Sequence, residues 1–182
     1  MKRFIRKILR EQFEYKQQLF DLLRSGDSDN IEMVKMISQG QGIDIIELLI
    51  EYFKENGSPY FKILNHFDLS EDELNYVFSG IFGKPLFRTT NSGHSLHVYD
   101  ENGYKIYYGN SDGFWWKKEY DENGNMIYNE SSLGYWTKNE YNKNNHKIYS
   151  EYSNGYWENK EYAPNGNLIY YEDSNGSIED NR

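Results

Sequence analysis

The hydrophobic rhythm of the chain changes near its midpoint. Up to residue 88, apolar side chains recur every three or four positions, the period of an amphipathic helix. Beyond it, Tyr, Trp and Ile come in short runs split by Asn and Gly, the signature of strands and tight turns. In the first half, Ile5, Leu9, Phe13, Phe20 and Leu23 predict a helix that stops at Ser25-Gly26. A second helix is predicted over 30–38 on Ile31, Val34 and Met36, ended by Gly40 and Gly42. A third, over 43–55, is apolar almost all round and belongs at the core of a bundle. Phe61, Ile63, Leu64 and Phe67 predict a short fourth. Ser70 and Glu73 form a capping box that opens a fifth, through Tyr76, Val77 and Ile81. The acids Glu71, Asp72 and Glu73 fit the positive end of that helix better than a catalytic carboxylate cluster.

The second half repeats itself. EYDENGNMIY at 119–128 returns as EYNKNNHKIY and again as EYAPNGNLIY, each 21 residues on, and VYDENGYKIY precedes them. Tyr99, Tyr120, Tyr141 and Tyr162 keep the interval, as do Ile106, Ile127, Ile148 and Ile169, and Gly113, Gly134, Gly155 and Gly176. Each unit holds two strand-like runs and two turn signals, so about four units predict about eight antiparallel strands in a meander. The fold class is α+β. A small helical domain, residues 1–88, precedes a domain of tandem 21-residue hairpin repeats, residues 89–182.

Turn type decides which side chains share a face. Pro164 has no N–H for a two-residue turn, but suits a type I turn followed by Gly166 in the left-handed region. Asn145 takes the glycine position in the third unit, a conformation that Asn tolerates. That geometry pairs Tyr162 with Leu168 and Glu161 with Ile169. By alternation, one face then carries Trp115, Trp136 and Trp157 with Ile127, Ile148 and Ile169 as a structural stripe. The other carries Phe114 and the candidate binding residues Tyr120, Tyr128, Tyr135, Tyr141, Tyr149, Tyr156, Tyr162 and Tyr170.

The phrase Tyr-Asp-x-x-Gly, complete at Tyr99-Asp100…Gly103 and Tyr120-Asp121…Gly124, resembles the YD repeats of Rhs-type and teneurin-type proteins. The short hairpins are also similar to MORN-type repeats. Tyr141-Asn142…Asn145 and Tyr162-Ala163…Gly166 depart from the YD pattern, and the likeness spans about half the chain. It implies a spiralling or single-layer β-sheet and no particular activity. The helical half resembles no family.

Charge and composition narrow the function. Residues 89–182 hold 8 basic and 15 acidic side chains, most of the chain's net −9, which argues against a phosphate-backbone binder. The chain has no cysteine, so no disulfide or thiolate metal site is expected. No run approaches a membrane span, and the chain reads as cytoplasmic. The basic first turn, with Lys2, Arg3, Arg6, Lys7 and Arg10, fits three roles: solvation, an acidic surface or a membrane surface. His94 and His97, three apart in a strand, point to opposite faces. Equivalent carboxylates such as Glu119, Glu140 and Glu161 recur at roughly 10 Å, too far to share a proton. No catalytic constellation, cofactor or metal is therefore expected. The expectation is a non-enzymatic module presenting an aromatic, acidic sheet to a protein partner with a basic surface, such as a phage or mobile-element inhibitor. A carbohydrate- or cell-wall-binding module with stacked Tyr and Trp rows is the alternative.

Overall fold

Five helices form in the first half, and their ends follow the capping chemistry. They are α1 (Lys2–Ser25), α2 (Ser28–Gln41), α3 (Ile45–Asn56), α4 (Tyr60–Leu64) and α5 (Glu71–Phe82). The computed structural model describes residues 2–57, 60–84, 86–91 and 94–182, the side chains of 2–12, 87–89 and 91 excepted. The basic side chains of Lys2, Arg3, Arg6, Lys7 and Arg10 thus lie outside the described residues. α2 starts earlier than its apolar spacing predicts, because the Asp27 carboxylate accepts from the backbone N–H groups of Asp29 and Asn30. Asp44 caps α3 in the same way, which moves its start from 43 to 45. At α5 both halves of the Ser70–Glu73 capping box form.

The helical core is aromatic. Phe20, Tyr52, Phe53, Tyr60 and Phe78 make successive edge-to-face contacts with centroids 5.1 to 5.5 Å apart. α3 supplies Leu48, Leu49, Ile50, Tyr52 and Phe53 to it, as its all-round apolar sequence predicts. At Gly80 of α5 an added Cβ would lie 2.9 Å from the Ile50 side chain, so the two helices meet closely there. Tyr76, on the outer side, donates to Glu47 of α3 at 2.8 Å. Phe13 and Met36 depart from expectation at 63% and 65% exposed. Among the described α1 side chains, only Leu19, Phe20 and Leu23 are buried, all in its last two turns.

The second unit begins at Pro85, four residues before the boundary at 88/89 that composition suggests. It is one antiparallel sheet of ten strands paired in chain order. These are β1 (Leu86–Asn91), β2 (Ser95–Asp100), β3 (Lys105–Asn110), β4 (Trp115–Tyr120), β5 (Met126–Ser131), β6 (Trp136–Tyr141), β7 (Lys147–Tyr152), β8 (Trp157–Tyr162), β9 (Leu168–Asp173) and β10 (Ile178–Asp180). β1 and β10 add to the eight that the repeat predicts, because neither carries the full repeat phrase.

The repeat hairpins close alike. Gly124 N–H donates to the Asp121 carbonyl, and Asp121 N–H donates to that of Asn125, with Gly124 at φ 83°. The same pair of bonds closes 142–146 and 163–167, as the Pro164 argument predicts. The Tyr-Asp phrase now has a physical meaning. The Asp side chain accepts from the N–H groups two and four residues on, at Asp100 and Asp121, and Asn142 does so too. Ala163 has no such oxygen, and Pro164 instead presets the turn dihedral.

A second contact locks each turn to its predecessor. The Tyr104 ring stacks on Tyr120, with centroids 4.8 Å apart, and fills the space where a Cβ on Gly124 would point. Two units on, the His146 ring lies against Tyr162 and Gly166 in the same way. Between them the covering position is the small Asn125. There the turn residue is Asn145 at φ 62°, and the Asn125 amide donates to it at 3.0 Å. The exception in the glycine series thus coincides with the loss of the covering ring.

At Gly113 nothing stands within 4 Å of an added Cβ, so Gly113→Ala carries only the left-handed strain, roughly 1–2 kcal/mol. Gly124→Ala must also displace Tyr104 and will destabilise more. In a thermal double-mutant cycle, Tyr104→Ala should remove that excess; additive effects would refute the coupling.

Candidate interaction surface

Strand register sorts the aromatic residues, and it does so with one more shift than the turn geometry predicts. In each repeat hairpin the pairing slips just beyond the turn: Tyr120 faces Met126, but Glu119 faces Tyr128, leaving Ile127 as an extra residue. The slip recurs at Ile148 and Ile169. The predicted Glu161–Ile169 pair is therefore corrected to Glu161–Tyr170, while Tyr162–Leu168 forms as expected. A bulge places two residues opposite one. Tyr128, Tyr149 and Tyr170 consequently sit on the face of Trp115, Trp136 and Trp157, away from the other tyrosines.

That Trp face is aromatic and acidic. Across β4–β5–β6, Glu119 pairs with Tyr128 and Tyr128 with Lys138, while Lys117 pairs with Glu130 and Glu130 with Trp136. One unit on, Glu140 pairs with Tyr149, Tyr149 with Asn159, Lys138 with Glu151, and Glu151 with Trp157. The last unit brings Glu161 to Tyr170 and Asn159 to Glu172. The three Trp and three Tyr rings are half-buried, and Glu119, Glu140 and Glu161 are exposed. A shallow depression is lined by Glu140, Ile148, Tyr149, Trp157, Asn159 and Glu172. Ile148 keeps its predicted place on the Trp face, now beside Tyr149.

Phenols and carboxylates on this face are linked within strands. Tyr128 donates to Glu130 at 2.8 Å and Tyr170 to Glu172 at 2.7 Å. The bond to Glu172, with burial, raises the Tyr170 pKa. Tyr170, with Asn159, lowers that of Glu172. Burial raises the Tyr128 phenol, with the Glu119 charge adding to it. Burial, Glu151 and Glu140 together raise that of Tyr149. Lys117 pairs with Glu130, and the Lys138 ammonium stands 5.2 Å from the Trp136 ring centre.

The opposite face carries Tyr120, Tyr135, Tyr141, Tyr156 and Tyr162, and most of these rings are engaged within the sheet. Tyr120 stacks on Tyr104 and Tyr162 packs on His146. Tyr141 donates to the Met126 carbonyl at 3.2 Å, beside the Asn139 amide at 2.9 Å. Ser150 donates to Asn139 at 2.9 Å, and both are buried. Tyr156 reaches Tyr171 at 3.0 Å, and Tyr171 donates to Asp173 at 2.9 Å. Tyr135 alone among the five is strongly exposed, at 67%. The eight candidate tyrosines are therefore split three to five between the faces. The buried Asn139–Ser150 pair escaped sequence reasoning, since the equivalent positions hold Lys118 and Lys160, or Asn129 and Tyr171.

Among the described residues, no three His, Asp or Glu side chains converge as a metal site, and no helix is long and apolar enough to cross a membrane. His97 lies 3.0 Å from the Ser95 hydroxyl and packs edge-on against Tyr108.

No protein-family model matches the chain, and no curated protein matches it. Among solved structures, it is similar to the crystal structure of a mutant of S. aureus TarM in complex with fondaparinux, alpha-GlcNAc-glycerol and UDP. The identity is 18% and the TM-score 0.27, over 82% of this chain and 32% of that one. The chain spans about a third of that protein's length, and a likeness at this score carries no functional argument.

The ionisable groups predict a stability window. Asp121 is held below the usual carboxylate range by Asn125, Glu73 by Ser70, and Asp180 is held down to about 2 by Arg182. Their stabilisation is present above the ordinary carboxylate range and is lost as pH falls through the lowered values. Tyr120, Tyr141 and Tyr149 are raised, chiefly by burial, so theirs is present below the ordinary phenol value and lost above it. The melting temperature should be flat from about pH 5 to 9 and fall below about pH 4 and above about pH 10. A melt followed by circular dichroism that stays flat to pH 2 would contradict it.

Proposed function

We propose that the Trp face of the sheet is a protein-recognition surface and that the chain catalyses no reaction. One observation carries this reading. Three successive units present Trp, Tyr and Glu in a single register, with equivalent side chains on alternate strands roughly 10 Å apart. Half-buried rings fixed in a sheet offer contact area at little cost in conformational entropy, and such residues dominate protein interfaces. The carboxylates Glu119, Glu130, Glu140, Glu151, Glu161 and Glu172 outnumber Lys117, Lys138 and Arg182 on this face. A partner with basic side chains would gain association rate and salt sensitivity from that imbalance. The opposite face supports such a role less well, because Tyr120 and Tyr162 are packed on the Tyr104 and His146 rings and Tyr141 is bonded to a main-chain carbonyl of the sheet itself.

The test compares the faces. Trp157→Ser with Tyr149→Ser should abolish capture of a partner while leaving the circular dichroism spectrum intact, and Tyr135→Ser should leave capture unchanged. Loss of capture with Tyr135→Ser alone, or retention of polysaccharide and no protein by the native chain, would overturn the reading.

A further inference from the structure

One tyrosine of the Trp face already holds a guanidinium of the chain itself. The Arg182 guanidinium lies 4.1 Å from the centre of the Tyr170 ring, within cation–π range. It also forms an ion pair with Glu161 at 3.2 Å, and Glu161 is the cross-strand partner of Tyr170. On the other side of Tyr170, the register partner is Asp180, whose carboxylate accepts from Arg182 at 2.8 and 2.9 Å. A guanidinium is thus held by a tyrosine face and by the acids flanking that tyrosine on both neighbouring strands. Planar, fork-shaped and weakly hydrated, it suits both contacts better than an ammonium does.

The repeat builds the same position three times more, with different flanks; the first of these, Tyr107, is buried and pairs with Val98 and Lys117. Glu119 and Lys138 flank Tyr128, and the lysine charge opposes a second cation there. Glu140 and Asn159 flank Tyr149. Asn159 is neutral, donates its amide N–H to Glu172 at 3.2 Å and keeps a carbonyl oxygen as acceptor. Glu140 and Glu151 both bear on the Tyr149 phenol. Tyr149 also opens onto the depression lined by Trp157, Ile148, Glu140 and Glu172, which brings a second ring and a second carboxylate within reach of one guest.

We propose that the Tyr149–Glu140–Asn159 position is an arginine-binding subsite, and that it takes an arginine side chain of the protein partner in the way Tyr170 and Glu161 hold Arg182. This rests on the reading of the Trp face as a protein-recognition surface and names the chemistry that the face selects.

The experiment uses the full chain and two blocked pentapeptides, Gly-Gly-Arg-Gly-Gly and Gly-Gly-Lys-Gly-Gly, titrated at equal ionic strength and followed by NMR of the aromatic side chains. The arginine peptide should shift the Tyr149 and Trp157 resonances saturably, and bind at least roughly threefold more tightly than the lysine peptide. Tyr149→Leu should erase that preference and Tyr149→Phe should keep it, since the ring face and not the hydroxyl makes the contact. Arg182→Ala should vacate the template and add a second arginine-selective site, seen as new shifts at Tyr170. Equal affinity for the two peptides, shifts centred on Tyr128, or no new site in Arg182→Ala would each overturn the proposal. A sheet indifferent to arginine that still loses its partner when Tyr149 and Trp157 are replaced would overturn this inference and leave the recognition surface standing.

Discussion

The organisation of the sheet follows from how each repeat hairpin is closed. A type I turn ending in a left-handed residue brings Asp121 back to Asn125, and the strand then accommodates one extra residue before regular pairing resumes. Because side chains alternate, that single residue decides the face of everything beyond it. It moves Tyr128, Tyr149 and Tyr170 beside the tryptophans and leaves Tyr120, Tyr141 and Tyr162 to cover the other side. Both the aromatic-acidic surface and the internally bonded surface are consequences of it. The side-chain oxygens of Asp100, Asp121 and Asn142 hold the turns that make it possible.

The helical unit achieves order by different means. Its ends are fixed by Asp27, Asp44 and Ser70, and its centre by a chain of edge-to-face rings from Phe20 to Phe78. The sheet unit keeps most of its rings half-exposed along two faces. Aromatic residues are therefore mostly buried in one half and mostly half-exposed in the other, although both halves are rich in them.

Much of this was legible in the sequence where local chemistry decides it. Five helices, the Ser70–Glu73 box, the 21-residue units and the three-residue turns follow from caps, periodicity and Pro164. What was not legible depends on pairing between strands. The extra Ile127, Ile148 and Ile169 have no signature of their own, since isoleucine is an ordinary strand residue. Without them, alternation counts Tyr128, Tyr149 and Tyr170 onto the wrong side. Strands β1 and β10 were hidden because they lack the repeat phrase, and the Asn139–Ser150 pair because it occupies positions that vary between units. The role of Arg182 was invisible for the same reason: only the fold brings residue 182 to Glu161.

In this sheet every strand pairs only with its neighbours in sequence, from β1 to β10. Such an arrangement is quasi-one-dimensional, with stability accumulating from each unit and from its junction with the next. The number of units then becomes a quantity that lineages can change by duplicating or losing one 21-residue segment, without disturbing the pairing of the rest. Each such event would lengthen or shorten the aromatic-acidic surface by the width of two strands, roughly 10 Å. Reach, rather than shape, is the property that this architecture leaves open to evolutionary adjustment.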